Sequence, residues 1–326
     1  MHVLVIGAAG MLGGKLVKTL VRSGSLGGRG IARMTLSDVV APARPDFAGP
    51  VELLAADLSA PGVAGKLVAT RPDVIFHLAA IVSGEAENDL EKGYRINLDG
   101  TRALFDAIRI EATKGPYCPR VVFTSSIAVF GTPFPDVIGD DHVLTPLTSY
   151  GVQKAMGELM LADYSRRGFL DGVGIRLPTI AIRPGKPNKA ASGFFSSILR
   201  EPLTGQQAVL PVADSVRHWF ASPRAAVGFL IHAATIDTTP LGIRRSLNMP
   251  GVAATVADEI AALRRVAGDK AVALIRREPD KSIAKIVDGW PRAFDAERAR
   301  ALGFAAETGF DEIIRVHIED ELGGRL

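Results

Sequence analysis

The chain has 326 residues, of which 47% are apolar and 22% charged, so it can bury a large α/β core and does not have the composition of a disordered chain. Its 38 basic and 35 acidic residues nearly balance, and no Lys/Arg block is long enough to hold nucleic acid by charge. The one cysteine, Cys118, rules out a disulfide within the chain and a cysteine-based zinc site, and no metal site is expected.

The opening MHVLVIGAAG lacks a basic leader region and breaks at Gly7, so it reads as a first strand. No apolar run reaches bilayer length, and the cytoplasm is the expected location. His2–Ile6 is a continuous β-branched and leucine run, hence a buried strand. Residues 11–22 place Leu12, Leu16, Leu20 and Val21 on one helical face. Strands follow at residues 34–38, 51–55, 74–78 and 121–124, with a helix over 88–112 that buries Leu90, Tyr94, Leu98, Ala103 and Ile108. Alternating strands and helices predict an α/β fold, a doubly wound parallel sheet of the Rossmann kind with right-handed crossovers.

Past residue 176 the rhythm changes. Pro178, Pro184, Pro187, Pro202 and Pro211 interrupt the pattern, and 185–193 is a polar, basic loop. Residues 253–266 and 313–322 read as amphipathic helices. The expected organisation is a dinucleotide-binding domain over 1–176 and a smaller substrate-binding domain over 177–326. Part of 225–240 is expected to pack back on the first.

Residues 7–13, GAAGMLG, lie between the first strand and the first helix. Gly7 permits the tight turn, Gly10 lets backbone approach a pyrophosphate, and Gly13 allows close helix–strand packing. Such a turn also occurs without a ligand; here its place between strand and helix favours the cofactor. Asp38 ends the second strand 25 residues beyond Gly13, where a carboxylate accepts both ribose hydroxyls of NAD and repels a 2′-phosphate. Arg33 and Arg44 could soften that repulsion. Asp57, after the third strand, can either reach the adenine or cap the next helix. His77, Leu78, Ala79 and Ala80 end the fourth strand on the nicotinamide side, with His77 read as structural.

Tyr150 and Lys154 stand four apart at a helix start, hence on one face. A tyrosine ionises near pH 10, and a neighbouring ammonium favours the tyrosinate. Ser126, at the end of the fifth strand, can donate to the same substrate oxygen. Such a pair is common on helices by chance; its weight comes from the serine on a strand's carboxyl end.

These residues together resemble the extended short-chain dehydrogenase/reductase family, which includes nucleotide-sugar epimerases and dehydratases. The resemblance spans nearly the whole chain. It rests on residues 7–13, Asp38, Asp57, 77–80, Asn97 in NLDGT, 125–131, 150–154 and Arg217-His218. It implies NAD as cofactor, bound additionally by Met11, Leu12, Leu58, Asn97 and Pro178, with Asn97 positioning the active-site helix and a water. Residues 77–87, 126–134 and 176–193 resemble a subgroup that oxidises four-carbon sugar acids at C2 with NAD. Two departures from the nucleotide-sugar enzymes agree with that. Phe130 stands where they usually have tyrosine, and no acid follows Arg217-His218 through residue 223.

A carboxylate substrate needs a cationic or amide anchor. The candidates are Arg183, Lys186, Asn188, Lys189 and Arg217, each of which could equally be a surface charge. Ser83 is a candidate for a substrate hydroxyl. A nucleotide-sugar 4-epimerase, a short-chain L-threonine dehydrogenase and a non-enzymatic NAD sensor remain alternatives. The expected partners are the small-molecule sugar acid and a second copy of the chain, with neither nucleic acid nor membrane.

Overall fold

The computed structural model describes residues 1–185 and 192–325. Two compact units emerge. The first comprises residues 1–129, 148–176 and 227–247; the second comprises 130–147, 177–226 and 248–326.

The first unit is built on a seven-stranded sheet. Its strands are β1 (His2–Ile6), β2 (Arg33–Asp38), β3 (Val51–Ala55), β4 (Val74–His77), β5 (Arg120–Ser126), β6 (Asp171–Leu177) and β7 (Ser246–Asn248). Their order across the sheet is β7-β6-β5-β4-β1-β2-β3. The pairs β1–β2, β1–β4, β2–β3 and β4–β5 are parallel. The order therefore reverses at β1, and ligands of such sheets bind outside the strands' carboxyl ends at that reversal. β1 and β4 are buried along their whole length, as two covered faces demand, whereas the edge strand β3 is partly exposed.

The helix Met11–Ser23 lays Leu16, Val17 and Leu20 into the core and stops at Gly24, which takes the left-handed conformation. One core layer joins Leu4, Ile75 and Val121 of the strands to Leu104, Phe105 and Leu161 of helices.

The single helix expected over 88–112 is instead a series of pieces. Ser83–Asn88 and Leu90–Gly93 are short helices, Tyr94–Asp99 is π-helical, and Gly100–Ala112 is a regular α-helix. Asp89 causes the first break: its backbone is non-helical and its carboxylate accepts the Lys92 N–H at 3.0 Å. The π-helical turn contains Asn97, whose side chain is engaged on both sides.

The second unit carries a three-stranded sheet ordered Val252–Thr255, Arg217–Ala221, Thr179–Ile180, backed by the helices Gly193–Leu203, Val256–Val272 and Phe310–Glu321. Phe195, Ile198, Phe220, Leu263 and Ile314 fill its core. The helix expected over 253–266 thus begins as a strand. Thr255 ends that strand and opens the helix through a reciprocal capping box with Asp258. Among the described residues no helix is long and apolar enough to cross a membrane.

Candidate active site

The glycine-rich turn sits at the carboxyl end of β1. Gly7 has φ +92°, and a β-carbon there would lie 2.7 Å from the Ala79 nitrogen. A β-carbon at Gly13 would lie 2.0 Å from the Gly7 carbonyl oxygen, a distance no side chain can occupy. The helix starts at Met11 behind Gly10, with neither a side-chain cap nor an acid in its first turn. Its first bond runs from the Gly14 N–H to the Gly10 carbonyl at 2.8 Å. The N–H groups of Met11 and Leu12 therefore precede the ladder and form the positive end of the helix. This arrangement fits a dinucleotide pyrophosphate.

Asp38 lies beside the turn. Its carboxylate accepts the Ala9 N–H at 2.9 Å and the Val39 N–H at 2.7 Å. The Gly-rich loop and the Asp38 carboxylate are thereby locked in one geometry. Asp57 is engaged differently: it accepts the Ser59 N–H and hydroxyl at 2.9 and 2.6 Å and pairs with Arg95 at 2.6 Å. Although partial burial opposes it, these hydrogen bonds hold the Asp57 carboxyl below its usual range. The cap of the next helix is Gly62, so Asp57 instead closes a local turn. Leu58 is buried behind it, while Leu78 and Ala79 line the turn after β4 half-buried and Ala80 is exposed.

Ser126, Tyr150 and Lys154 all belong to the first unit. Ser126 is the last residue of β5, and Thr148 caps the helix Ser149–Arg166 that carries the other two. The Lys154 Nζ donates to the Thr124 carbonyl at 2.8 Å, and lies 5.0 Å from the Phe123 ring centre and 5.7 Å from that of Tyr150. Lys154 is buried, which pushes its ammonium down to about 8, and the charge of Glu158 works against that fall. The Ser126 Oγ accepts the Ala128 N–H at 3.1 Å, which leaves its own hydrogen to donate. A serine donor and a phenol backed by a buried amine share one strand end and one helix start. Such a set can stabilise an oxygen and move its proton.

Three polar chains brace this centre. Asn97 holds Ile81 through both its N–H and its carbonyl, at 2.9 and 3.3 Å, and donates to Gln153 at 2.8 Å. The Thr101 hydroxyl donates to the Asn97 carbonyl at 2.7 Å and so accepts from His77 Nε2 at 2.9 Å. His77 is neutral, pushed down to about 3 by burial and by the nearby Lys154 charge. The third chain joins Ser125, Glu158 and Arg176. The sequence assigns no role to Gln153, Thr101, Glu158 or Arg176, although all but Glu158 fall within stretches that carry the family resemblance. Two of them stand a helical turn past a chosen residue (Asn97 to Thr101, Lys154 to Glu158), and that spacing was the available signal.

Ser83 opens the short helix after β4, half-buried. Glu87 of that helix accepts the Ser149 N–H at 2.8 Å, which fastens it to the start of the Tyr150 helix. The remaining candidates belong to the second unit. Pro178 is buried between β6 and the strand Thr179–Ile180. Arg183 donates to the Ile180 carbonyl at 3.0 Å and to the Ser192 hydroxyl at 2.9 Å. Arg217 begins its strand exposed, within electrostatic reach of Asp258. Its neighbour His218 is buried between Thr179 and the Pro291 carbonyl, at 2.7 and 2.8 Å. Asn188, Lys186 and Lys189 lie outside the described residues.

The comparisons with known proteins converge on one group. The chain is 49% identical over 324 residues to a D-erythronate dehydrogenase of Cupriavidus necator, covering 98% of each chain. It is 42% identical to a D-erythronate dehydrogenase of Haemophilus influenzae, covering 99% of this chain and all of that one. A crystal structure described as a nucleoside-diphosphate-sugar epimerase from Agrobacterium tumefaciens superposes with a TM-score of 0.98 at 68% identity, covering 99% of this chain and 95% of that one. A family model matches residues 3–235, which include β1 through β6, the glycine-rich turn and the Tyr150 helix. By that match and these full-length relatives, the chain belongs to the NAD dependent epimerase/dehydratase family.

Proposed function

We propose that the chain oxidises D-erythronate to 2-dehydro-D-erythronate with NAD. The observation that carries this reading is the full-length similarity to two D-erythronate dehydrogenases. NAD, when bound, would supply the acceptor for the hydride of C2. Gly7, Gly10 and the Met11 and Leu12 N–H groups hold its diphosphate, and Asp38 its adenosine ribose. Tyr150 accepts the proton of the C2 hydroxyl, the Lys154 ammonium favours the tyrosinate, and Ser126 donates to the same oxygen. The buried position of Lys154 beside Tyr150 supports these roles. In the second unit, Arg217 is our choice for the carboxylate anchor, because its side chain is exposed.

One second reading has a specific observation behind it. The 68% identical structure is described as a nucleoside-diphosphate-sugar epimerase. An epimerase would return the hydride and give no net NADH. An L-threonine substrate needs an acid for its ammonium, and two acids near Ser83 are already engaged, Glu85 by Lys92 at 2.5 Å and Glu87 by the Ser149 N–H.

A panel of four- and five-carbon aldonic acids, followed at the absorbance of NADH, and of UDP-sugars, followed by chromatography of the sugar products, separates the readings. Turnover of D-erythronate, lost in Tyr150→Phe, is expected. Turnover of UDP-sugars without NADH release would overturn the proposal. We also propose a cytoplasmic homodimer, drawing on the cytoplasmic NAD pool. It would pair through the first unit's exposed apolar side chains Ile110, Met156 and Leu159, and Leu159→Glu is expected to halve the mass found by light scattering.

A further inference from the structure

Glu158 is an acid that the reaction just described does not use. It stands four residues after Lys154, hence on the same face of the helix, and is 4% exposed. Its carboxylate is fully engaged by two neighbours. The Ser125 hydroxyl donates to Oε1 at 2.5 Å. Arg176 of β6, itself buried, donates from Nε at 3.0 and 3.2 Å and from Nη2 at 2.8 Å. Ser125 lies between Thr124, whose carbonyl receives the Lys154 Nζ, and Ser126. One buried carboxylate therefore bonds directly to the strand end and, on its own helix, faces the amine.

We propose that Glu158, clamped by Arg176, is a positioning residue for the reaction: it fixes the Ser125–Ser126 strand end and supplies the counter-charge that keeps Lys154 an ammonium. The proposal rests on the Tyr150–Lys154–Ser126 reading. The groups facing Lys154 are few. Its own helix presents Tyr150 and Glu158, β5 presents the Thr124 carbonyl and the Phe123 ring, and β4 presents the neutral His77. Burial weakens the ammonium, and the Glu158 charge counters it beside the hydrogen bond to the Thr124 carbonyl. Arg176 limits that counter-charge because it donates to both Glu158 oxygens.

Charge logic then gives opposite signs to two substitutions. Glu158→Gln keeps an acceptor for Ser125 but removes the anion and leaves Arg176 uncompensated. Arg176→Gln leaves the anion uncompensated. The test reads Lys154 directly, by ¹³Cε NMR of lysine-labelled protein titrated with alkali and assigned with Lys154→Met. The expected midpoint falls by about one pH unit in Glu158→Gln and rises in Arg176→Gln. Turnover at pH 8 should fall at least tenfold in Glu158→Gln, without the same loss in NAD affinity. Midpoints that stay put, or move in the same direction in both variants, overturn the proposal. If Arg176→Gln does not fold, the Glu158→Gln/Arg176→Gln double variant replaces it, and its midpoint should lie above that of Glu158→Gln. Tyr150→Phe is the separate control. If that variant is fully active, the catalytic reading fails whatever Lys154 does; if it is inactive while the midpoints do not move, the role of Glu158 alone fails.

Discussion

Replacing Asp38 by Asn tests the coenzyme site at one atom. The carboxylate receives the N–H groups of Ala9 and Val39, so its position is set before any ribose arrives. Asn retains one acceptor and loses the charge. Hydrogen bonds to a charged group contribute about 1.5–3 kcal/mol, so NAD should bind roughly 10- to 150-fold more weakly. For NADP the balance is reversed. A 2′-phosphate about 5 Å from Asp38 feels roughly 3 kcal/mol of repulsion per unit charge at an effective dielectric near 20, and Asn abolishes it. The ratio of kcat/KM for NADP over NAD should therefore rise on the order of a hundredfold or more. The assay is D-erythronate oxidation with each coenzyme, with melting temperature as the control for the Ala9 contact. A ratio within twofold of wild type, in a variant that melts normally, would show that Asp38 does not select the coenzyme.

Three further outcomes follow from the same geometry. Gly13→Ala should abolish NAD binding in a calorimetric titration, because its β-carbon would meet the Gly7 carbonyl at 2.0 Å; Gly10→Ala, with 3.3 Å to the same oxygen, should weaken it far less. Arg217→Ala should raise KM for the sugar acid about tenfold, as expected for loss of a carboxylate anchor; an unchanged KM removes Arg217 from the site. Glu259 is wholly buried, neither oxygen has a hydrogen-bond partner among the described residues, and burial raises its carboxyl well above the usual range. The folded state thus holds a proton that the unfolded chain gives up near pH 4.3, so stability falls by about 1.4 kcal/mol per pH unit above that, until the folded carboxyl also ionises. Glu259→Leu should raise the melting temperature at pH 8 more than at pH 5, and equal gains at both would contradict the linkage.

Much of the first unit was legible because its signals are local and mutually consistent. β1 and β4 are short apolar runs that could only be covered strands, and the glycine turn follows one of them directly. Two stretches read less well. In 88–112, apolar spacing persists through a chain that Asp89 has broken, because periodicity reports which face is buried and not whether the backbone ladder continues. At 253–255, two alanines work against a strand, which forms through antiparallel pairing with 217–220, a contact remote in sequence.

The Tyr150 helix shows why the support of the site was harder to see than the site. Its inward face buries Gln153, Lys154, Glu158 and Ser165, while Met156 and Leu159 point outward. The ordinary pattern is mixed, since Leu161 goes inward with the polar groups while Met156 and Leu159 do not, so a reading that assigns every apolar residue to the core misplaces part of this helix. Buried polar groups survive only when partnered, and each hydrogen-bond partner of Lys154 and Glu158 comes from another element: Thr124 and Ser125 from β5, Arg176 from β6. No sequence window contains both members of such a pair. The mixed pattern itself was visible, however, as a helix with Lys154 and Glu158 one turn apart on one face and Met156 and Leu159 on another. Local rules fail where function has displaced them. In this chain the failure marks the helix that carries the proposed base, and the apolar residues displaced to its outer side are those that we assign to a second subunit.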